Sequence, residues 1–202
     1  MRRKFEKFLV EQCAPTLAGI KPANLFRYQP EEQEDVHAAI SFWNQQLGDR
    51  GVRIEVLKKY VRTGSYLILA YRRDWVTQIL SKRETQAFLR QRGYLVPGHC
   101  EALMKQMSFR FKQDQSFPHE VGVLLGYPLC DVIGFIRNQG KNCACSGCWK
   151  VYGDTVAAKK YFKLLKRCTA DYKGMYENGT PIVQMVESVC QQKAGTARRL
   201  WN

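Results

Sequence analysis

The sequence predicts an α+β fold: a mostly helical single domain around a small antiparallel sheet of about three strands. Three observations predict it. Several stretches place apolar residues at helical spacing, led by Val36, Ile40, Trp43 and Leu47. Two strand-like stretches, 53–61 and 65–72, meet at the turn Arg62-Thr63-Gly64-Ser65. Helices and strands do not alternate as a parallel sheet would require. With 202 residues and 45% hydrophobic content, the chain is long enough to bury a core without disulfides. The expected domain spans 1–192, followed by a loose tail at 193–202.

Element by element, 2–12 reads as a short amphipathic helix with Phe5, Phe8 and Leu9 on one side, stopping before Pro15. Pro15, Gly19 and Pro22 make 13–26 a loop or broken helix. Pro30 and three acids mark the first turn of a helix over 31–47, which Gly48 and Gly51 end. The run Tyr66–Tyr71 is apolar without alternation, the mark of a central strand buried on both faces. Asp74 starts a short helix, and Ser81-Lys82-Arg83-Glu84 fits a capping box for the next. Pro97-Gly98 precedes a helix over 99–113. Two short helices follow, 118–125 and 129–138, ended by Gly126 and Gly140. Cys148–Tyr152 is expected as the third strand, with Trp149 and Val151 facing inward. Asp154 caps a long helix whose stripe is Ala157, Tyr161, Leu164, Cys168, Tyr172 and Met175, stopped by Gly179. A last helix covers about 181–192.

Composition narrows the function classes. Glu6, Lys7 and Glu11 interrupt any signal-peptide core, and no run is apolar enough for a membrane span. Eight cysteines without an export signal point to reduced thiols and a cytoplasmic location. The net charge of +14 favours anionic partners, a small anionic molecule or nucleic acid, and no membrane. The charges are spread, with Arg2-Arg3-Lys4 as the densest short cluster. No Walker or Rossmann glycine pattern occurs, so no cofactor is assigned.

Several phrases resemble one bacterial family, the domain-of-unknown-function family numbered 3793, seen mainly in anaerobic Firmicutes. They are Cys13–Phe26, Tyr71-Arg72-Arg73, Phe117-Pro-His-Glu-Val-Gly122, Leu125-Gly-Tyr-Pro128, Gly140-Lys-Asn142 and Trp149-Lys-Val-Tyr152. The resemblance runs from about residue 10 to about 175. It implies a cytoplasmic protein and carries over no catalytic residue, because the family's activity is not established. Gln12 stands where relatives often carry His, and Cys143 and Cys148 are extra to the family pattern, which weakens a family-wide metal site.

Four candidate sites follow from residue chemistry. Cys13 with His119 and Glu120 forms a nucleophile–base–orienter set, since a nearby imidazole stabilises a thiolate; the plainer reading is a buried cysteine and a first-turn acid. Thr16, Lys21, Asn24, Arg72 and Arg73, with Lys150, supply donors and charge for an anion pocket; the plainer reading is a structural segment with solvated cations. Cys143, Cys145 and Cys148 have the spacing of metal ligands or a redox pair, but the fourth ligand would have to come from afar. Residues 119–139 read as a helix-turn-helix ending in Arg137, Asn138 and Gln139, although the start of the second helix is apolar and acidic. The first reading is a small-molecule-handling protein binding a small anionic ligand or cofactor, with an enzyme built on Cys13 and His119 as one form of it. The alternatives are a DNA-binding module at 119–139 and a thiol redox or metal module at Cys143–Cys148.

Overall fold

The structure, a computed structural model, describes residues 2–95, 100–113 and 117–186. It is α+β and mostly helical, with a small antiparallel three-stranded sheet. Contacts divide the chain into two compact units, 1–76 with 168–202, and 77–167. The chain leaves the first unit within one helix, 73–81, and returns within another, 155–177.

The first unit is built on the sheet β1 (Ala23–Tyr28), β2 (Val52–Lys59) and β3 (Tyr66–Arg72), in the order β1-β3-β2. The unalternating run is the central strand, and Tyr66 through Tyr71 are all buried. A one-residue bulge between Val56 and Lys58 interrupts the β2–β3 register. Helix α1 (Arg2–Leu17) packs on β1 and β3, and α2 (Val36–Leu47) packs on β2.

Three expectations are corrected here. Helix α1 does not stop before Pro15 but runs through it to Leu17. Pro15 removes one donor, yet Cys13 to Leu17 are all buried, and packing outweighs the missing bond. The segment 23–28 is a strand rather than part of a loop, and it completes the sheet in place of Cys148–Tyr152. Helix α2 begins at Val36, because Asp35 is its N-cap and accepts from the Ala38 amide at 3.0 Å; the acids at 31–34 precede it.

The second unit holds the rest of α3 (Arg73–Ser81), then α4 (Arg83–Gln91), α5 (Cys100–Gln113), α6 (Val121–Leu124), α7 (Leu129–Arg137), the two-stranded ribbon β4 (Cys145–Ser146) and β5 (Lys150–Val151), and the first half of α8 (Thr155–Glu177). The Pro97-Gly98 break expected before α5 lies outside the described residues. Lys82, not Ser81, occupies the N-cap of α4, and the Ser81 hydroxyl bonds back to the Gln78 carbonyl, so the capping box does not form. Asp154 caps α8 as expected, accepting from Val156 and Ala157 at 2.9 and 3.0 Å. The buried stripe of α8 is Ala158, Tyr161, Phe162, Leu165, Cys168 and Tyr172; Ala157 is exposed, and Leu164 and Met175 are only half-buried. Phe162 takes that place because it packs edge-on against Trp149. A short helix at 182–186 follows Pro181; the remainder of the helix expected to 192, and the tail at 193–202, lie outside the described residues.

Asp131 ties the second unit together. It is 2% exposed, and its carboxylate accepts from the Trp149 indole N–H at 2.7 Å and from the backbone amides of Tyr152 and Gly153 at 2.7 and 2.8 Å. Helix α7 is thereby fastened to β5. Glycine is required at two neighbouring points: a Cβ on Gly134 would meet the Tyr152 ring at 2.5 Å, and one on Gly147 would collide with Phe162. Asp131→Ala leaves a buried indole N–H and two part-buried amides without their acceptor and lowers unfolding free energy by on the order of 3 kcal/mol. Urea denaturation measures it; a loss under about 1 kcal/mol would show the clip to be dispensable.

Candidate functional site

The residues expected at a site fall into both units. Cys13, Thr16, Lys21, Asn24, Arg72 and Arg73 belong to the first, and His119, Glu120, Lys150 and the cysteine cluster to the second.

In the first unit, Arg72 is spent on backbone. The Arg72 guanidinium donates to the Thr16 carbonyl at 2.7 Å and the Leu17 carbonyl at 2.5 Å, with a weaker contact to the Arg50 carbonyl at 3.5 Å. The first two are end carbonyls of α1, which have no partner within the helix, so Arg72 acts as its C-terminal cap. The Thr16 hydroxyl donates to the Asn24 side-chain oxygen at 2.7 Å, fastening α1 to β1. Lys21 is buried, and Arg73 is exposed. Cys13 is fully buried, and burial pushes its thiol far up, with Lys21 pulling weakly the other way. A thiol held protonated is the reverse of an activated nucleophile.

In the second unit, His119 and Glu120 line a cleft of about 300 Å³ together with Arg92, Arg110, Phe117, Phe135 and Gln139. The turn that opens α6 delivers the first two. Glu120 is buried, and Arg92 meets it through Nε at 2.5 Å. The Arg92 side chain stays about half exposed, so its terminal N–H groups remain at the cleft. Arg110 lies over the Tyr94 ring at 3.8 Å and donates to the Gly93 carbonyl at 2.8 Å. His119 sits between Phe117 and Phe135, with centroids 5.4 and 4.7 Å away. Burial lowers its pKa below the ordinary 6.5, against the opposing pull of Glu120. That shift favours the neutral ring, with one nitrogen able to accept, although His119 itself is exposed.

The sequence suggests Gln139 only as a base contact. It occupies the left-handed position after α7, at φ 52°, where glycine is the usual residue. The bonds of a Schellman closure are present: Gln139 N–H to the Ile136 carbonyl at 3.3 Å, and Gly140 N–H to the Phe135 carbonyl at 2.9 Å. Arg92, Arg110 and the cleft role of Gln139 escape sequence reasoning, because a cleft assembled from α4, α5 and the ends of α6 and α7 has no local signature.

The other candidates take structural positions. The Lys150 ammonium donates to the Gly140 carbonyl at 2.6 Å. Cys145 pairs with Val151 in the ribbon, Cys143 is half-buried and Cys148 exposed. Among the described residues, no group of three or more His, Cys, Asp or Glu side chains is placed to hold a metal ion. In the stretch read as a helix-turn-helix, α6 is a single four-residue turn, and at the start of α7 Cys130 is exposed while Asp131 is buried and engaged with Trp149.

Burial sets the order of thiol reactivity. Among the cysteines of the described residues, limited alkylation of native protein, read by peptide mass spectrometry, modifies the exposed Cys148 and Cys130 first and leaves Cys13 untouched until unfolding. Cys13 labelling as fast as Cys148 would contradict the burial.

No helix among the described residues is long and apolar enough to cross a membrane. No curated protein and no solved structure matches the chain. A family model described as "Protein of unknown function (DUF3793)" matches residues 9–186, nearly the whole chain, and the protein belongs to that family.

Proposed function

We propose that this protein binds a small organic anion, a carboxylate or phosphate attached to an apolar or planar group, in the cleft of the second unit. The observation that carries the reading is the pairing of a buried acid, met by one arginine, with cations that line the cleft wall. Glu120 is neutralised by Arg92 through one edge of the guanidinium, and the other edge is available for a bidentate grip on an anion. Arg110 adds a second cation held in place by the Tyr94 ring. Phe117 and Phe135 supply apolar walls. A volume near 300 Å³ is at the lower end of small-molecule sites.

Backbone strain at Gln139 agrees with this reading. A non-glycine residue in the left-handed region costs on the order of 1 kcal/mol, and such outliers gather at functional sites. Gln139→Gly relieves the strain while deleting an amide from the cleft. The variant is expected to melt at the same or a higher temperature yet bind benzoate or phenyl phosphate several-fold more weakly by calorimetry. Equal affinity in both proteins would remove Gln139 from the site, and no measurable binding of either probe to wild type would defeat the proposal.

The pH dependence follows from His119. Its folded pKa is lowered, so it gains a positive charge only as pH falls through a value below 6.5. Benzoate, which keeps its charge over about pH 5 to 8, is expected to bind more tightly as pH falls through that window and to show a flat affinity above it. His119→Gln abolishes the rise. The same rise in that variant would place the titrating group elsewhere. Free of ligand, the lowered pKa makes the fold less stable as pH falls from 6.5, because the unfolded chain takes up the proton first.

A further inference from the structure

The segment 159–167, Lys-Lys-Tyr-Phe-Lys-Leu-Leu-Lys-Arg, carries five cations in nine residues and is a longer basic run than Arg2-Arg3-Lys4. It lies within α8, inside the second unit. At 3.6 residues per turn, Lys159, Lys160, Lys163, Lys166 and Arg167 fall within an arc of about 120° along roughly 12 Å of helix. All five are exposed, and no acidic residue occurs between Asp154 and Asp171. The four lysines make no hydrogen bond or ion pair with any described residue.

Such a face works against the helix. Like charges three and four residues apart, as in Lys159/Lys163 and Lys163/Lys166, each destabilise by about 0.2–0.5 kcal/mol. The buried side of α8 holds the helix regardless. A partner with regularly spaced negative charge turns that repulsion into attraction.

We infer that this face of α8 is a docking surface for the phosphate backbone of duplex nucleic acid, read without regard to base sequence. The chemistry distinguishes it from other polyanion contacts. Lysine is a point charge suited to phosphates, and four of the five cations are lysine. Lysine is depleted from protein–protein interfaces, which rely on aromatic and arginine anchors. A membrane-surface helix needs apolar side chains beside its cations to enter the lipid. Here the apolar stripe is buried in the fold, and the one large apolar side chain left exposed on α8 is Val156. The inference is independent of the anion cleft and of the 119–139 segment.

The test is fluorescence anisotropy of the full chain with two labelled duplexes of unrelated sequence, about 20 base pairs long, across roughly 50–200 mM salt. Both duplexes are expected to bind alike, with log K falling against log salt at a slope of about −4. The triple variant K159Q/K163Q/K166Q is expected to reduce that slope by roughly 3 and to weaken low-salt binding at least tenfold. An equally discharged control, K7Q/K59Q/R62Q, alters exposed positions in the first unit and is expected to change the slope by less than about 1. Circular dichroism melts verify that both variants fold. Absence of salt-dependent binding, equal losses in the two variants, or tighter binding to phosphatidylserine vesicles than to duplex would each overturn the assignment.

Discussion

The second unit depends on one buried carboxylate. Asp131 sits in the first turn of α7 and gathers donors from the residues on either side of β5, so a nine-residue helix is held at its start rather than by length. An isolated helix of that size is not stable in water. The same clip sets the far end of α7, where Phe135, Ile136 and Gln139 face the cleft. Trp149 is fixed from three sides, by its bond to Asp131, by stacking on Tyr127 and by the edge of Phe162. The glycines at 134 and 147 follow from this packing, since each lies where a ring must pass. Removing a side chain from this cluster therefore disturbs the cleft from a distance.

The electrostatics of the cleft are asymmetric. Its one carboxylate is buried and engaged, while its cations reach solvent. An ion pair with one half-exposed partner adds little to stability on its own, because solvent screening and desolvation offset most of the attraction. What the Arg92–Glu120 pair does is hold a guanidinium in one orientation with an edge exposed. Arg110 is held by a different device, an aromatic face and a backbone carbonyl. In the proposed reading, two held cations beside apolar walls and an imidazole form the preorganised surface for a charged head on an apolar body. In the first unit the corresponding arginine, Arg72, is consumed in capping α1, which is why its charge contributes to the fold.

The fold class, the hairpin and the central strand are legible in the sequence, because an apolar run without alternation fits little besides a strand covered on both faces. Strand β1 is not. Pro22 just before it, the exposed Arg27 within it and its irregular burial hide the period-two pattern, and the strand exists because β3 needs a partner. The idealised stripe of α8 errs at Ala157, Leu164 and Met175; near the first two, Phe162, absent from that stripe, is drawn inward by Trp149. Of the cleft, His119 and Glu120 are legible as polar residues opening a helix. Arg92, Arg110 and Gln139 are not, because nothing within a few residues of them distinguishes a cleft wall from a solvated surface. The basic face of α8 is written in the sequence as well, but it stands out only when charge is counted along one helix rather than over the whole chain.

Membership of a family without an assigned activity leaves the chemistry of the cleft as the ground for function. The most direct test is nitrogen-15 NMR of the full chain, titrated with phenyl phosphate and observed at the arginine side chains, the His119 ring and the Gln139 amide. The account predicts saturable shifts at Arg92, Arg110, His119 and Gln139, with the Arg72 side chain unmoved. Shifts that never saturate, or that appear at Arg72 and not at Arg92, would contradict it.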